Sequence, residues 1–193
     1  MKALLKSSHS QANLDVFELT TKNHADYCSI HGYTYLPVEE PYNPRLDVKQ
    51  LLSYLKKYDI VMTIGCDLLI QHPEWTIEEM LSRGITMCPE LNSPTLNADL
   101  IIYTREAITT INKIADIQRR MRDGQTAFNH MKLRDKNIHV NPVLQIAAPV
   151  MNPTKDYSKV CVGDYFAVHY HTIGKRPDVL SKAEGLKKDL GIC

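Results

Sequence analysis

Apolar positions along this chain change period repeatedly, and each change marks the edge of a predicted element. Residues 2 to 7 predict a short strand, and residues 11 to 30 a helical stretch ending near His31-Gly32. Tyr33 to Val38 is β-rich and closed by Pro37 and Pro41. Leu46, Val48, Leu51, Leu52 and Leu55 then recur at helical spacing, which predicts a helix over Leu46 to Lys57. Asp59 to Ile70 is mostly apolar, interrupted only by Thr63 and Gly65-Cys66-Asp67, as suits a strand buried on both faces. Thr76 to Ser82 predicts a short helix, and Ile85 to Cys88 and Ala98 to Tyr103 two more strands. Ile108, Ile111, Ala115, Ile117 and Met121 give a helix with one apolar side, and Thr126 to Leu133 begins another. Tyr165 to His171 alternates like a strand before Gly174, and Asp178 to Lys188 predicts a polar closing helix. Strands alternating with helices predict an α/β chain folded as a three-layer α/β/α, Rossmann-like domain; hairpin-like pieces late in the chain indicate a mixed, mainly parallel central sheet.

Composition narrows the class without choosing a function. A length of 193 residues predicts a single domain spanning 1–193. Hydrophobic residues make up 44% and charged residues 23%, which places the chain among globular proteins and away from disordered or fibrous ones. The net charge is +1, so the chain lacks the basic excess of a dedicated nucleic-acid binder. A polyanionic ligand would have to be met by a few placed cations or a metal. The five cysteines (Cys28, Cys66, Cys88, Cys161 and Cys193) are odd in number and widely spaced, which predicts reduced, mostly buried thiols and no zinc site. No apolar run reaches the roughly 20 residues of a membrane span, Lys6 interrupts the N-terminal apolar stretch too early for a signal peptide, and no usable N-glycosylation acceptor occurs. The expectation is a soluble, cytoplasmic protein, unless it is a trimmed domain of a Golgi-anchored enzyme.

Candidate chemistry gathers at few places. In open α/β sheets ligands collect beyond the carboxyl ends of strands, where Asp67 follows IVMTI and Gly65. Taken alone it is as readily a cap or a turn residue. His169 and His171 lie two apart, so in a strand they share one face; taken alone, a strand histidine is more often packed and hydrogen-bonded. One carboxylate and one imidazole from distant strands can form half of a divalent-metal site, and manganese accepts that mixture more readily than magnesium. Lys175, after Gly174, can neutralise a diphosphate as a point charge or be an ordinary surface lysine. Lys49 lies on the polar side of its helix. Gln125 sits at a helix start where Asp123 can be an N-cap. Trp75, the only tryptophan, is expected to pack the domain. No GxGxxG, Walker, GxSxG or HExxH pattern occurs, which removes most dinucleotide, P-loop, serine-hydrolase and zincin readings.

An ordered set of segments carries a resemblance: Tyr27-x-x-x-His31-Gly32-Tyr33, Lys49, Tyr58-Asp59-Ile60-Val61 ahead of Gly65-Cys66-Asp67, Asn97-Ala98-Asp99-Leu100, Gly124-Gln125-x-Ala127-Phe128, and His171-x-x-Gly174-Lys175. Over about residues 20 to 175 the chain resembles GT-A fold glycosyltransferases. It is most similar to the retaining galactosyl/mannosyl transferase family of yeast Golgi mannosyltransferases and plant xyloglucan xylosyltransferases. The resemblance implies that Asp67, matching the last Asp of a DxD motif, and His171 hold a Mn2+ (or Mg2+) bridging the donor diphosphate. It implies that Lys49, Gly174 and Lys175 lie near the donor and its diphosphate, that Asn97 and Gln125 line the donor-sugar pocket, and that Ser7 and Ser8 lie near the nucleotide. Three positions depart from the pattern. The first Asp of DxD is Gly65, the acidic residue before Gln125 is Gly124 with Asp123 displaced by one, and the glycine expected after Asn97-Ala98 is Asp99.

The implied activity is metal-dependent, retaining transfer of a hexose or pentose from a nucleotide-diphosphate sugar, with UDP the expected nucleotide, to a hydroxyl of a glycan or glycoprotein. Negative charge develops on the departing diphosphate, which the cation and Lys175 would stabilise. Asp99, Asp123 or Gln125 would face the oxocarbenium-like sugar. The alternative, motivated by Gly65 and Gly124, is a non-catalytic nucleotide-sugar or glycan binding module. A nucleotidyltransferase would need a glycine-rich basic loop after the first strand, which Ser7-Ser8-His9-Ser10 does not supply. Further domains or a homo-oligomer are compatible with the sequence.

Overall fold

The computed structural model describes residues 1–8, 14–37, 48–89, 95–120, 124–147 and 165–169. A six-stranded sheet is built from β1 (Ala3–Ser8), β2 (Thr34–Leu36), β3 (Ile60–Gly65), β5 (Ile85–Pro89), β6 (Leu96–Thr104) and β7 (Ile138–Val140), in the order β2-β1-β3-β6-β5-β7. The pairs β1–β2, β1–β3 and β5–β7 are parallel, and β6 runs antiparallel to both neighbours. The sheet is therefore mixed and mainly parallel, as the alternating pattern predicts.

The helices take opposite sides because strand side chains alternate. Leu4, Val61, Ile101 and Tyr103 face one way, packed with Leu51 and Leu55 of α2 (Val48–Lys57), Ile111 and Ile114 of α4 (Ile108–Gln118), and Ala127, Phe128 and Met131 of α5 (Gly124–Lys132). Ala3, Leu5, Ile60, Met62, Leu100 and Ile102 face the other way, against Tyr27 and Cys28 of α1 (Leu14–His31) and Ile77 and Met80 of α3 (Ile77–Met80). A capping box holds α3: Thr76 accepts from the Glu79 amide at 3.2 Å, and Glu79 accepts from the Thr76 amide at 2.9 Å.

The predicted single strand over Asp59 to Ile70 is two strands. The chain leaves the large sheet at Gly65, turns through Cys66 and Asp67, and enters β4 (Leu68–Ile70) of a second, three-stranded sheet. There β4 pairs antiparallel with β9 (Ala167–His169), which pairs parallel with β8 (Gln145–Ala147). Both halves are apolar because both are buried, so hydrophobicity alone does not show the turn. The three-residue strands β7 and β8 lay below what periodicity resolves. Trp75 packs against the α1-side core as expected, and Cys28, Cys66 and Cys88 are buried. Burial pushes the Cys28 thiol up to about 12. Cys161, Cys193 and the closing helix predicted at Asp178 to Lys188 lie outside the described residues.

Among the described residues two glycines have positive φ. Gly84 (φ 92°) opens β5, and a Cβ there would stand 2.4 Å from the Asn137 carbonyl oxygen that accepts the Ile85 amide. Gly32 (φ 68°) follows α1, and a Cβ there meets nothing within 4 Å. Gly84→Ala is therefore expected to lower unfolding free energy by about 3 kcal/mol or more, and Gly32→Ala by about 1 kcal/mol. Urea unfolding of the two variants checks this, and equal losses would contradict it.

Candidate functional site

The carboxyl ends of β1 and β3 lie side by side, with Ser8 opposite Gly65. Because β6 is antiparallel, its first residues, Leu96 to Asp99, come to this same edge. The topology therefore gathers Ser7, Ser8, Gly65, Asp67, Asn97 and Asp99 where ligands collect in such sheets. A polar cleft lined by Lys2, Gly32, Thr34, Lys57 and Tyr58 opens at the amino end of β1, the opposite edge, away from these residues.

At the centre stands His169, the last residue of β9 and only 3% exposed. Its Nε2 lies 3.5 Å from Asp67 Oδ1 and 3.6 Å from Asp99 Oδ2. Asp67 is 7% exposed, whereas the Asp99 side chain is 36% exposed and within reach of a ligand. Two carboxylates, one from the turn before β4 and one from β6, thus approach one imidazole. The antiparallel register puts Leu68 opposite His169, so the residue just before β4, Asp67, falls beside the imidazole.

Asp99 is aimed by a break in the sheet. Met87 pairs with Ile101, but the next residue, Cys88, pairs with Asn97, so Ala98, Asp99 and Leu100 bulge out of the β5 ladder. Asn97 closes the bulge by accepting the Asp99 amide at 2.7 Å. Such bulges re-aim side chains. Across the pair, Gly65 leaves the space: a Cβ at 65 would lie 2.9 Å from Asp67 Oδ1 and 3.6 Å from Asp99 Cβ. The missing first acid of the DxD pattern therefore coincides with close approach of the Asp67 carboxylate and the Leu68 side chain, at 2.9 and 3.0 Å.

Helix α1 holds the turn from behind. Thr20 donates to the Cys66 carbonyl at 2.6 Å, His24 Nε2 bonds the Leu68 carbonyl at 2.8 Å, and Asn23 both donates to the Ile70 carbonyl (3.0 Å) and accepts its amide (2.9 Å). Burial lowers the His24 pKa from 6.5 to about 4, so at neutral pH the ring is uncharged and Nε2–H is the donor. The same helix continues the seat downstream, where Tyr27 donates to the Trp75 carbonyl at 2.8 Å and His31 bonds the Pro73 carbonyl at 2.6 Å. Tyr33 completes it by donating to Glu78 and accepting the Ile77 amide.

The other expected residues fall as follows. Asn97 is buried, with Oδ1 committed to Asp99. Ser7 is fully buried, and Ser8 ends β1. Lys49 is exposed near the start of α2, without an ion pair among the described residues. Gln125 lies in the first turn of α5, one turn before Asn129, which accepts the Leu96 amide at 2.7 Å and so ties α5 to the start of β6. Asp123, His171, Gly174 and Lys175 lie outside the described residues. Sequence reasoning missed the contact of His169 with both carboxylates, and it missed Thr20, Asn23, His24 and Asn129. The signal available for α1 was the i, i+4, i+7 spacing of Thr20, His24 and Tyr27, a polar stripe that proves to be buried.

A carboxylate and an imidazole offer the oxygen and nitrogen donors that suit Mn2+. Among the described residues no group of three or more His, Cys, Asp or Glu side chains is arranged to hold a metal ion. The chemistry of the donors present, the Asp67 carboxylate and the His169 imidazole, is that of a partial site and not of a closed cage.

No protein-family model and no curated protein sequence matches the chain. Solved structures do. A glycosyltransferase involved in glycosylation of the major capsid of PBCV-1 superposes with a TM-score of 0.71 at 14% identity, over 97% of this chain and 100% of that one. The galactosyltransferase LgtC, solved with donor and acceptor sugar analogs, gives 0.54 at 9% identity, over 98% of this chain and 94% of LgtC. GlyE of Streptococcus pneumoniae TIGR4 gives 0.53 at 10% identity, over 99% of this chain but 64% of GlyE. At these identities the likeness shows the fold, which is GT-A-like.

The buried neutral His24 generates a pH dependence. Its folded pKa lies below its unfolded value, so between pH 6.5 and about 4 the unfolded chain binds more protons. Stability is full above 6.5 and falls as pH drops through this window, by about 3 kcal/mol in total. Urea unfolding at pH 7 and pH 4.5 checks this. His24→Gln should flatten that part of the slope, and an unchanged slope would contradict a buried neutral ring.

Proposed function

We propose that this protein is a metal-dependent, retaining glycosyltransferase that moves a hexose or pentose from a UDP-sugar to a hydroxyl of a glycan or glycoprotein. The observation that carries the reading is the convergence of Asp67, Asp99 and His169 at the carboxyl-end edge of a GT-A-like sheet. Similarity to three solved glycosyltransferases supports the transferase class. Among the described residues no helix is long and apolar enough to cross a membrane.

In this reading Asp67 and His169, with His171 two residues further on, supply the carboxylate and imidazole donors for a divalent cation, Mn2+ or Mg2+. That cation, when bound, offsets charge on the departing diphosphate. Lys175 adds a point charge to the same phosphates, with Gly174 allowing close approach of the backbone, and Lys49 stands toward the donor. A chain with net charge +1 has no general field for a polyanion, so these few placed groups must suffice. Ser7 and Ser8 mark the strand end nearest the nucleotide, and Asn97 shapes the sugar side chiefly by fixing Asp99. Asp99, exposed enough to meet a ligand, is the leading candidate to face positive charge developing at the anomeric carbon, ahead of Asp123 and Gln125. Retention gives an α-linked product from an α-linked donor.

A second reading has one specific observation behind it. Gly65 leaves the site one acid short of DxD, and crowding by Asp67 opposes restoring it. A nucleotide-sugar or glycan binding module without turnover would tolerate that loss.

Thermal unfolding with UDP and UDP-sugars, with and without Mn2+, tests both. At a ligand concentration of 100 times Kd the protein should gain about 2.7 kcal/mol, a rise of roughly 5–10 °C for a domain of this size. The gain should need Mn2+ and be lost in Asp67→Asn. Binding indifferent to Mn2+ and to Asp67 would sink the metal site. Binding without donor hydrolysis or transfer above background would favour the module.

A further inference from the structure

We propose that Thr20, Asn23 and His24 are positioning residues that set where Asp67 stands, by acting as a substitute strand along the open edge of β4. The inference rests on the reading of Asp67 as a ligand-binding group and adds the device that aims it. Among the described residues β4 is the edge strand of its sheet, with β9 on one side only. An unpaired strand edge exposes backbone groups that must find partners once buried. On this edge the carbonyls of Cys66, Leu68 and Ile70, at the two-residue period of a strand, bond Thr20, His24 and Asn23, and the Ile70 amide bonds Asn23. The i, i+3, i+4 spacing puts the three side chains on one face of α1. Side chains of a helix thus do here what a neighbouring backbone does elsewhere in the sheet.

Thr20 matters most for Asp67. The Cys66 carbonyl belongs to the peptide that joins Cys66 to Asp67, so its bond to Thr20 fixes the tilt of that peptide plane and the direction in which the Asp67 side chain leaves the backbone. The opposite edge of β4 is fixed by β9, whose His169 faces Asp67. Asp67 is therefore held from both sides, by a helix and by the strand that carries the imidazole. Thr20 and His24 are fully buried, so neither is a surface group that a ligand could reorient.

A merely structural role and a positioning role differ in what else moves. Thr20→Val keeps shape and burial and removes the hydroxyl, and Thr20→Ser restores it. Thr110→Val is the matched control: Thr110 is equally buried, in the opposite core, and donates to Asp135 at 2.9 Å. Mn2+ plus UDP affinity, by calorimetry, should weaken about fivefold or more in Thr20→Val, return in Thr20→Ser, and stay at the wild-type value in Thr110→Val even where both valine variants lose similar stability. In protein free of ligand, the 13C resonance of the Asp67 carboxylate should shift in Thr20→Val and not in Thr110→Val. If Thr20→Val does not fold, the half-buried Asn23→Ala reads the same quantities. An unmoved Asp67 resonance with unchanged affinity overturns the proposal. Wild-type protein that ignores Mn2+ and UDP while the resonance still moves overturns the site's proposed ligand and leaves the positioning intact.

Discussion

The structure turns on one constraint: a buried apolar run must leave one sheet and join another within two residues, Cys66 and Asp67. Each side of that step imposes a demand. On the large sheet, β3 needs β1 and β6 as partners up to Gly65. Past the turn, β4 has β9 on one edge and, among the described residues, no strand on the other. Buried carbonyls on the open edge cost a few kcal/mol each if left without partners, so α1 must present polar side chains there. The carboxylate of Asp67 is buried for the same reason: the turn lies between two sheets and under a helix. Its nearness to His169 and Asp99 follows from strand register, not from a flexible loop.

This explains an otherwise weak helix. An amphipathic helix buries an apolar stripe, but the buried face of α1 includes Thr20, His24 and Tyr27 beside Cys28. Those polar groups stay inside because each has a backbone partner in the 66–77 segment. The segment Tyr27-x-x-x-His31-Gly32-Tyr33 has the same logic. Tyr27 and His31 bond the Trp75 and Pro73 carbonyls of the loop before α3, Tyr33 accepts the amide of Ile77 at its start, and Gly32 supplies the positive φ that turns the chain from α1 toward β2. A motif that carried the resemblance is thus an anchor for the turn behind the site.

What the sequence revealed and hid follows from the same physics. The strands of the large sheet were legible because burial on both faces leaves long apolar runs, as at Ile60–Ile64 and Leu100–Tyr103. The switch at Gly65 was hidden because the run continues on the far side as Leu68-Leu69-Ile70. The gathering of Asp67 with Asp99 could be suspected only through resemblance, since nothing local in Asn97-Ala98-Asp99 announces a bulge. His169 and His171 were equivalent by strand period. That His169 neighbours Asp67 follows from the β4–β9 register, a non-local quantity, while His171 lies outside the described residues. Lys49 lies on its helix and Gln125 at a helix start as read, but a place along a helix does not fix a side chain's distance from Asp67.

The distribution of acids across strands bears on how the site keeps its shape. In a DxD arrangement both carboxylates ride on one short turn and move together. Here one rides on the turn after β3 and the other on the bulge of β6, and they meet at an imidazole carried by β9. Three strands from two sheets therefore set the separation, and moving any one carries the backbone hydrogen bonds of its ladder with it. Gly65 is the complement of that design: with Asp67 Oδ1 already 2.9 Å from where its Cβ would be, a side chain at 65 would require the Asp67 carboxylate to shift from its present place. The departure from DxD is accordingly a feature of the packing as well as of the chemistry. Whatever ligand meets Asp99 and Asp67 meets acids whose spacing was fixed by strand pairing before it arrived.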